Sequence, residues 1–199
     1  MSAPRIVLAS ASPRRADLLR QLGLEADTRP AHVDETYLAG EVPADHVDRL
    51  ARAKAEAIAS ELPDALVIGG DTVVVDGRRV MGKPGSDEEA VEMLMRLAGR
   101  EHHVLSGVAI AGPSGTVSRV VRTDVRFREF SESTAIAYVA TGEPADKAGA
   151  YGIQGFGAAL VEEIRGDYYC VVGFPVAALL DLLAEAGWRY AFGRLEPLD

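Results

Sequence analysis

Arg14 and Arg15 stand side by side in "LASASPRRADLL", residues 8–19, directly behind a serine and a proline. Ser12 suits a helix N-cap and Pro13 the first helical position, where its missing N–H costs nothing. The spacing predicts a helix over Ser12–Leu22, with Leu18, Leu19 and Leu22 as its apolar stripe and Gly23 as its stop. Both arginines then lie at the positive end of the helix dipole, which disfavours a cation by about 0.3–1 kcal/mol. A phosphate held by free backbone N–H groups and two guanidinium forks removes that penalty. Two solvated arginines on a surface helix are the other reading.

Lys54 is out of place in a different way. A helix over Ala44–Glu61 carries the apolar stripe Val47, Leu50, Ala51 and Ile58, and Lys54 falls on that stripe. Asp48, Arg52 and Glu56 form an ordinary solvated ladder on the opposite face. An inward lysine needs an acid or an anion beside it, unless it snorkels from the edge of the stripe. Asp71 interrupts "ALVIGGDTVVVDG", where Gly69 to Thr72 break two strand-like runs, Ala65–Gly69 and Thr72–Asp76. A carboxylate there suits metal coordination or general-base work, with the glycines allowing a ligand close to the backbone. A turn aspartate bonding its own backbone is the bland alternative.

"GRRVMGKP" nearly matches a phosphate-binding P-loop, but Pro84 replaces the Ser or Thr that the motif requires and Asp76-Gly77 reads as a hairpin. Lys83 is a candidate phosphate contact outside that motif. "GEPADKAGAYGIQGFG", Gly142 to Gly157, is long and glycine-rich without dinucleotide spacing, and reads as filler or a binding loop. Its Gln154 offers a donor and an acceptor that suit the edge of a base. Adjacent His102 and His103 face opposite sides of an expected strand and do not chelate together, and His32 and His46 lack a partner at ligand spacing. Cys170 reads as a packing residue.

The elements that must position these groups interleave. Strands are expected at Arg5–Ala9, His103–Ala111, Thr116–Arg128 and Gly157–Ile164 beside the two runs above. Further helices are expected at Ser86–Ala98, opened by Ser86 and Glu89 at capping-box spacing, at Ser131–Thr141 and at Pro175–Ala186. "AGPSGT" and Asp76-Gly77 mark hairpins, so the fold class is α/β with a mixed sheet flanked by helices. A chain of 199 residues with net charge −9 supports one substantial core, or one domain with two lobes, and offers no general surface for nucleic acid or an anionic membrane. A single cysteine, no spanning segment and no signal peptide point to the cytoplasm.

Taken together, "LASASPRRADLL", "VDE" at 33–35, "RLARAKAEA", "GGDTVVV", "GKP", the segment 103–107, "DKAGAYGIQG" and "VVGFP" closely resemble the Maf family of nucleoside triphosphate pyrophosphatases across essentially the whole chain. The resemblance implies one Maf-like domain over residues 1–199, with two lobes around a deep cleft, often as a homodimer. It implies hydrolysis of the α–β phosphoanhydride of a nucleoside triphosphate with a divalent cation, Mg²⁺ or Mn²⁺. By the same match Asp71 accepts the proton of the attacking water and holds metal with Glu35, while Arg15, Lys54 and Lys83 meet phosphate. Arg14, Thr72 and Gln154 match the branch acting on dTTP and UTP, not the branch acting on 7-methyl-GTP. Gly70, Cys170 and Phe174 depart from the commonest family pattern without removing a catalytic group. Two other classes compete: a regulatory nucleotide-binding protein acting on cell division through a partner, and a less selective phosphatase releasing orthophosphate. Acids beside cations favour the enzyme, because carboxylates without a metal weaken plain binding of a polyanion.

Overall fold

Small residues decide how the first half of the chain packs. The computed structural model describes residues 4–198, and these divide into two compact units. The first comprises the residues up to Asp71, Ser106–Val121 and those from Gly173 onward. Strand β1 (Arg5–Leu8) lies between β2 (Asp27–Thr28) and the first half of β3 (Ala65–Asp76), parallel to both. Helix α1 (Pro13–Gln21) follows β1, with Ser12 at its N-cap and Pro13 opening its first turn. Ser12's hydroxyl makes no cap bond; its N–H donates to Ser10 Oγ at 3.2 Å instead.

Helix α2 (Pro43–Ala59) lies on this sheet. Ala51, Ala55 and Ile58 pack on Val7, Ala9, Ala65, Val67, Ala109 and Ala111, a core built mostly of alanine and valine. Two glycines let the helix approach still closer. A Cβ at Gly69 would stand 2.2 Å from the Ala51 carbonyl oxygen, and one at Gly107 would stand 2.4 Å from that of Val47. Helix backbone therefore rests on strand backbone at those two points.

The second unit comprises Thr72–Leu105 and Arg122–Val172. Here β3 turns through a tight hairpin into β4 (Arg79–Met81), with Asp76 opposite Arg79. Helix α3 (Asp87–Leu97) opens on Ser86, whose Oγ accepts the Glu89 N–H, while Glu89 Oε2 accepts the N–H of Gly85 at 2.7 Å. It packs on α4 (Glu132–Val139). Strands β5 (Glu101–Gly112) and β6 (Gly115–Phe127) run through both units, and β6 pairs antiparallel with β7 (Val161–Arg165). The strand order is β2-β1-β3-β5-β6-β7 with β4 on β3, a mixed sheet as expected. The last four elements among the described residues are α5 (Tyr168–Val172) in the second unit and, in the first, α6 (Val176–Glu185) with the hairpin of β8 (Trp188–Tyr190) and β9 (Leu195–Pro197).

Two expectations are corrected. Gly69 to Thr72 do not interrupt a strand: β3 is a single run of 12 residues, because the glycines serve approach by α2 and no turn. The strand expected from Gly157 begins at Val161, since Gly155–Leu160 winds into 3-10 turns first. None of the helices among the described residues is long and apolar enough to cross a membrane.

Candidate active site

Lys54 is 8% exposed and sits on the inward face of α2, where its neighbours at the same helical spacing are Leu50, Ala51 and Ile58. Its ammonium is bonded to two acids. Nζ donates to Asp71 Oδ1 at 2.8 Å and pairs with Glu35 Oε1 at 2.7 Å. Asp71 reaches it from the middle of β3, half-buried, so the turn-aspartate reading is set aside. The two carboxylates converge on one cation, as an inward lysine requires.

Glu35 comes from a stretch without regular structure, residues 29–42, and that stretch has its own anchor. Glu41 accepts the N–H of Leu38 at 3.1 Å and two hydrogen bonds from Arg49, Nε at 2.6 Å and Nη2 at 2.9 Å; its Oε2 also lies 2.9 Å from His46 Nδ1. The Arg49 guanidinium, foremost among these donors, holds the Glu41 carboxyl well below the usual carboxylate range. Arg49 also donates to the Thr36 carbonyl at 3.0 Å, and the Tyr37 ring stacks on His46 at 3.5 Å. Burial, with Asp71 and Glu41 adding to it, pushes the Tyr37 phenol up to about 12.

Arg15 is placed beside this group by the first turn of α1. Its Nε donates to the Gly173 carbonyl at 2.9 Å, and its Nη1 donates to Ser10 Oγ at 3.0 Å and the Gly70 carbonyl at 2.8 Å. Burial lowers its pKa; Asp71 and Glu35 oppose that, and Arg14 adds to it. The guanidinium thus ties α1 to the strand position just before Asp71. The sequence expectation of an anion opposite Arg15 is met in the first instance by protein oxygens, while its charge still lies near both acids. Arg14, Arg15, Glu35, Lys54 and Asp71 all belong to the first unit.

The second unit holds the remaining expected residues. Thr72 follows Asp71 in β3 and is half-buried. Lys83 is exposed on the turn after β4, and the Gly82 carbonyl of that turn accepts the Gly149 N–H at 2.9 Å, joining it to the glycine-rich segment. Gln154 is exposed at the N-cap of the Gly155–Leu160 turns. Within this unit His102 is buried against Phe127 and Tyr151, its Nε2 lying 2.8 Å from the Tyr151 hydroxyl, while its Nδ1 has no partner among the described residues. Cys170 is buried, as expected of a packing residue.

The sequence profile of the family described as Maf-like protein matches residues 5–186. The chain belongs to that family. Among its relatives, a dTTP/UTP pyrophosphatase of Moorella thermoacetica is 51% identical over 187 residues, 92% of this chain and 95% of that protein. A dTTP/UTP pyrophosphatase of Syntrophus aciditrophicus is 47% identical over 189 residues, 94% of this Maf-like chain and 92% of that protein. Among solved structures, the Staphylococcus aureus Ham1 protein shares the fold with a TM-score of 0.50 at 18% identity, over 92% of this chain and 97% of that one.

Sequence reasoning missed several positioning groups of this Maf-like chain. Ser10 lies inside the quoted arginine motif, and a hydroxyl five residues before an arginine is a signal open to reading. Glu41 precedes a helix that begins at Pro43, and only its pairing with Arg49 on the second turn reveals its task. The carbonyls of Gly70 and Gly173 carry no side-chain signal at all.

Proposed function

We propose that the chain is a nucleoside triphosphate pyrophosphatase acting on dTTP and UTP in the cytoplasm, with residues 1–199 working as one catalytic domain. The observation that carries this reading is the Glu35–Lys54–Asp71 cluster beside Arg15, set in a chain 47–51% identical to relatives bearing that activity in their names. Water attacks the α-phosphorus, Asp71 accepts its proton, and the bond from the α-phosphorus to the bridging oxygen breaks to release pyrophosphate and a nucleoside monophosphate. Lys54, Arg15 and Lys83 supply positive charge for the phosphates. Arg15 does so while holding Gly70, so its charge and its scaffold role coincide.

A divalent cation, Mg²⁺ or Mn²⁺, fits the donor set. Glu35 and Asp71 are hard oxygen donors already converging on one positive charge, the Lys54 ammonium, and they are the residues that would hold it. When bound, such an ion supplies charge neutralisation and activation of water. Arg14, Thr72 and Gln154 select the base, and Gln154 matches the donor and acceptor edge of uracil or thymine through its own amide.

Turnover of dTTP, UTP, CTP, GTP, ATP and 7-methyl-GTP with Mg²⁺ or Mn²⁺, resolving pyrophosphate from orthophosphate, tests the proposal. Pyrophosphate from dTTP and UTP is expected, reduced by about 10²–10⁴ in Asp71→Asn. Orthophosphate as the product overturns the reaction, and preference for 7-methyl-GTP overturns the base assignment. Nucleotide bound without turnover replaces the enzyme by a binding protein.

A further inference from the structure

The glycine-rich segment of the second unit is folded back on one carboxylate. Glu143 Oε2 accepts the Phe156 N–H at 2.9 Å, while Oε1 accepts the Gly157 N–H at 3.0 Å and the Tyr138 hydroxyl at 2.8 Å. The same hydroxyl accepts the Gly152 N–H at 3.1 Å. Lys147 ties down the turn that carries Glu143, donating to the Glu143 carbonyl and the Asp146 carboxylate. Burial raises the Glu143 pKa, yet the Gly157 and Phe156 N–H groups, the Tyr138 hydroxyl and the Lys147 charge outweigh it and hold the carboxyl below its ordinary range.

The fit leaves no room for side chains on the inner face. A Cβ at Gly155 would stand 2.5 Å from Glu143 Oε2, and one at Gly157 would stand 2.2 Å from the Gly152 carbonyl oxygen. Ala150, buried with φ +58, adopts a left-handed backbone that a non-glycine residue keeps only where its surroundings enforce it. Gln154 stands between the two points of attachment, after Gly152 and before Phe156, and it is exposed. A segment held on both sides of one outward amide is ordered before any ligand arrives, which lowers the entropy lost on binding.

We propose that Glu143, relayed by Tyr138, is a positioning residue for base recognition: it fixes the backbone on both sides of Gln154 so that the amide meets a pyrimidine edge already aimed. This rests on the reading of Gln154 as the group that meets the base. A carboxylate that merely stabilises the loop would affect every nucleotide alike.

The test uses the full chain and the variants Glu143→Ala, Tyr138→Phe, Gln154→Ala and the Glu143→Ala/Gln154→Ala pair. Steady-state constants for UTP and GTP are read together with amide hydrogen exchange at Phe156 and Gly157. Glu143→Ala is expected to raise KM for UTP about tenfold with kcat within about threefold, and to reduce the preference for UTP over GTP. Exchange at both amides speeds up about tenfold or more, and the double variant is no worse than Gln154→Ala alone. Tyr138→Phe moves in the same direction by less, and serves if Glu143→Ala does not fold. Unchanged exchange, losses that multiply in the double variant, or equal loss on both bases overturn the positioning role. If exchange quickens but Gln154→Ala leaves the preference for UTP intact, the reading of Gln154 fails first and takes the proposal with it.

Discussion

Lys54 has two tasks that a substitution separates. Methionine keeps most of its packing volume but leaves Asp71 and Glu35 without their shared counter-charge. Lys54→Met is expected to lose activity by about 100-fold or more and stability by about 1–3 kcal/mol. Thermal melts in Mg²⁺ check the charge argument: added Mg²⁺ raises the melting temperature of the variant more than that of the wild type, because two carboxylates that have lost the Lys54 charge take the ion more readily. An equal response in both proteins would mean that Glu35 and Asp71 do not form one cation site. At this scale the sequence was informative wherever a residue broke a local rule. A lysine on an apolar stripe and an acid between strand-like runs proved to be partners. The arginine at a helix N-terminus was legible as an anomaly but not in its partners, since carbonyls of Gly70 and Gly173 are acceptors of identical type at every position of a chain.

Elements carry predictions of their own. Gly69→Ala places a Cβ against the Ala51 carbonyl and the Ala55 nitrogen of α2, both backbone atoms that cannot rotate away. A loss of about 2 kcal/mol or more is expected in denaturant unfolding, with activity falling because Lys54 rides on the displaced helix. His102 on β5 makes a second element-scale prediction. Burial, opposed by Asp76 and reinforced by His103, lowers its pKa from 6.5 to about 4. The unfolded chain therefore takes up a proton between those values that the folded chain refuses. Stability is full above pH 6.5 and falls by about 3 kcal/mol as pH drops to 4. Urea midpoints across that range check it, and the pH slope should flatten in His102→Gln even where that variant is weaker overall. The five longer helices were readable to within a residue or two from caps and stripes, whereas α5, five residues long, was not expected at all. Strand β7 was misplaced because "GFGAAL" has no period that separates a 3-10 turn from a short strand. The short β2, β4, β8 and β9 carry too few residues for any alternation to show.

For the whole molecule, Cys170 is a reporter of unfolding. It is the single cysteine of the chain and is fully buried, so a thiol reagent should label none of it in the native protein and one equivalent in denaturant. Rapid labelling under native conditions would show that the second unit opens on its own. A non-hydrolysable UTP analogue should raise the melting temperature, by about 2.7 kcal/mol of stability at a hundredfold excess over its Kd, and Asp71→Asn should keep that response while losing turnover. The α/β class and mixed sheet were legible because helices and hairpins alternate along the chain. The boundaries of the two units were not, since β3, β5 and β6 pass through both without a break in pattern.

The contact of α2 with the sheet at Gly69 and Gly107 has a meaning for anyone redesigning this chain. The spacing between that helix and the strands is set there by the radii of backbone atoms, which no mutation alters, and not by the volumes of side chains. Leu50 and Ile58 are buried beside it, so a change in their volume costs packing energy while that backbone contact keeps the spacing. The approach of the Lys54 helix to the Asp71 strand works as a gauge block, machined into the main chain and true only while Gly69 and Gly107 stay bare.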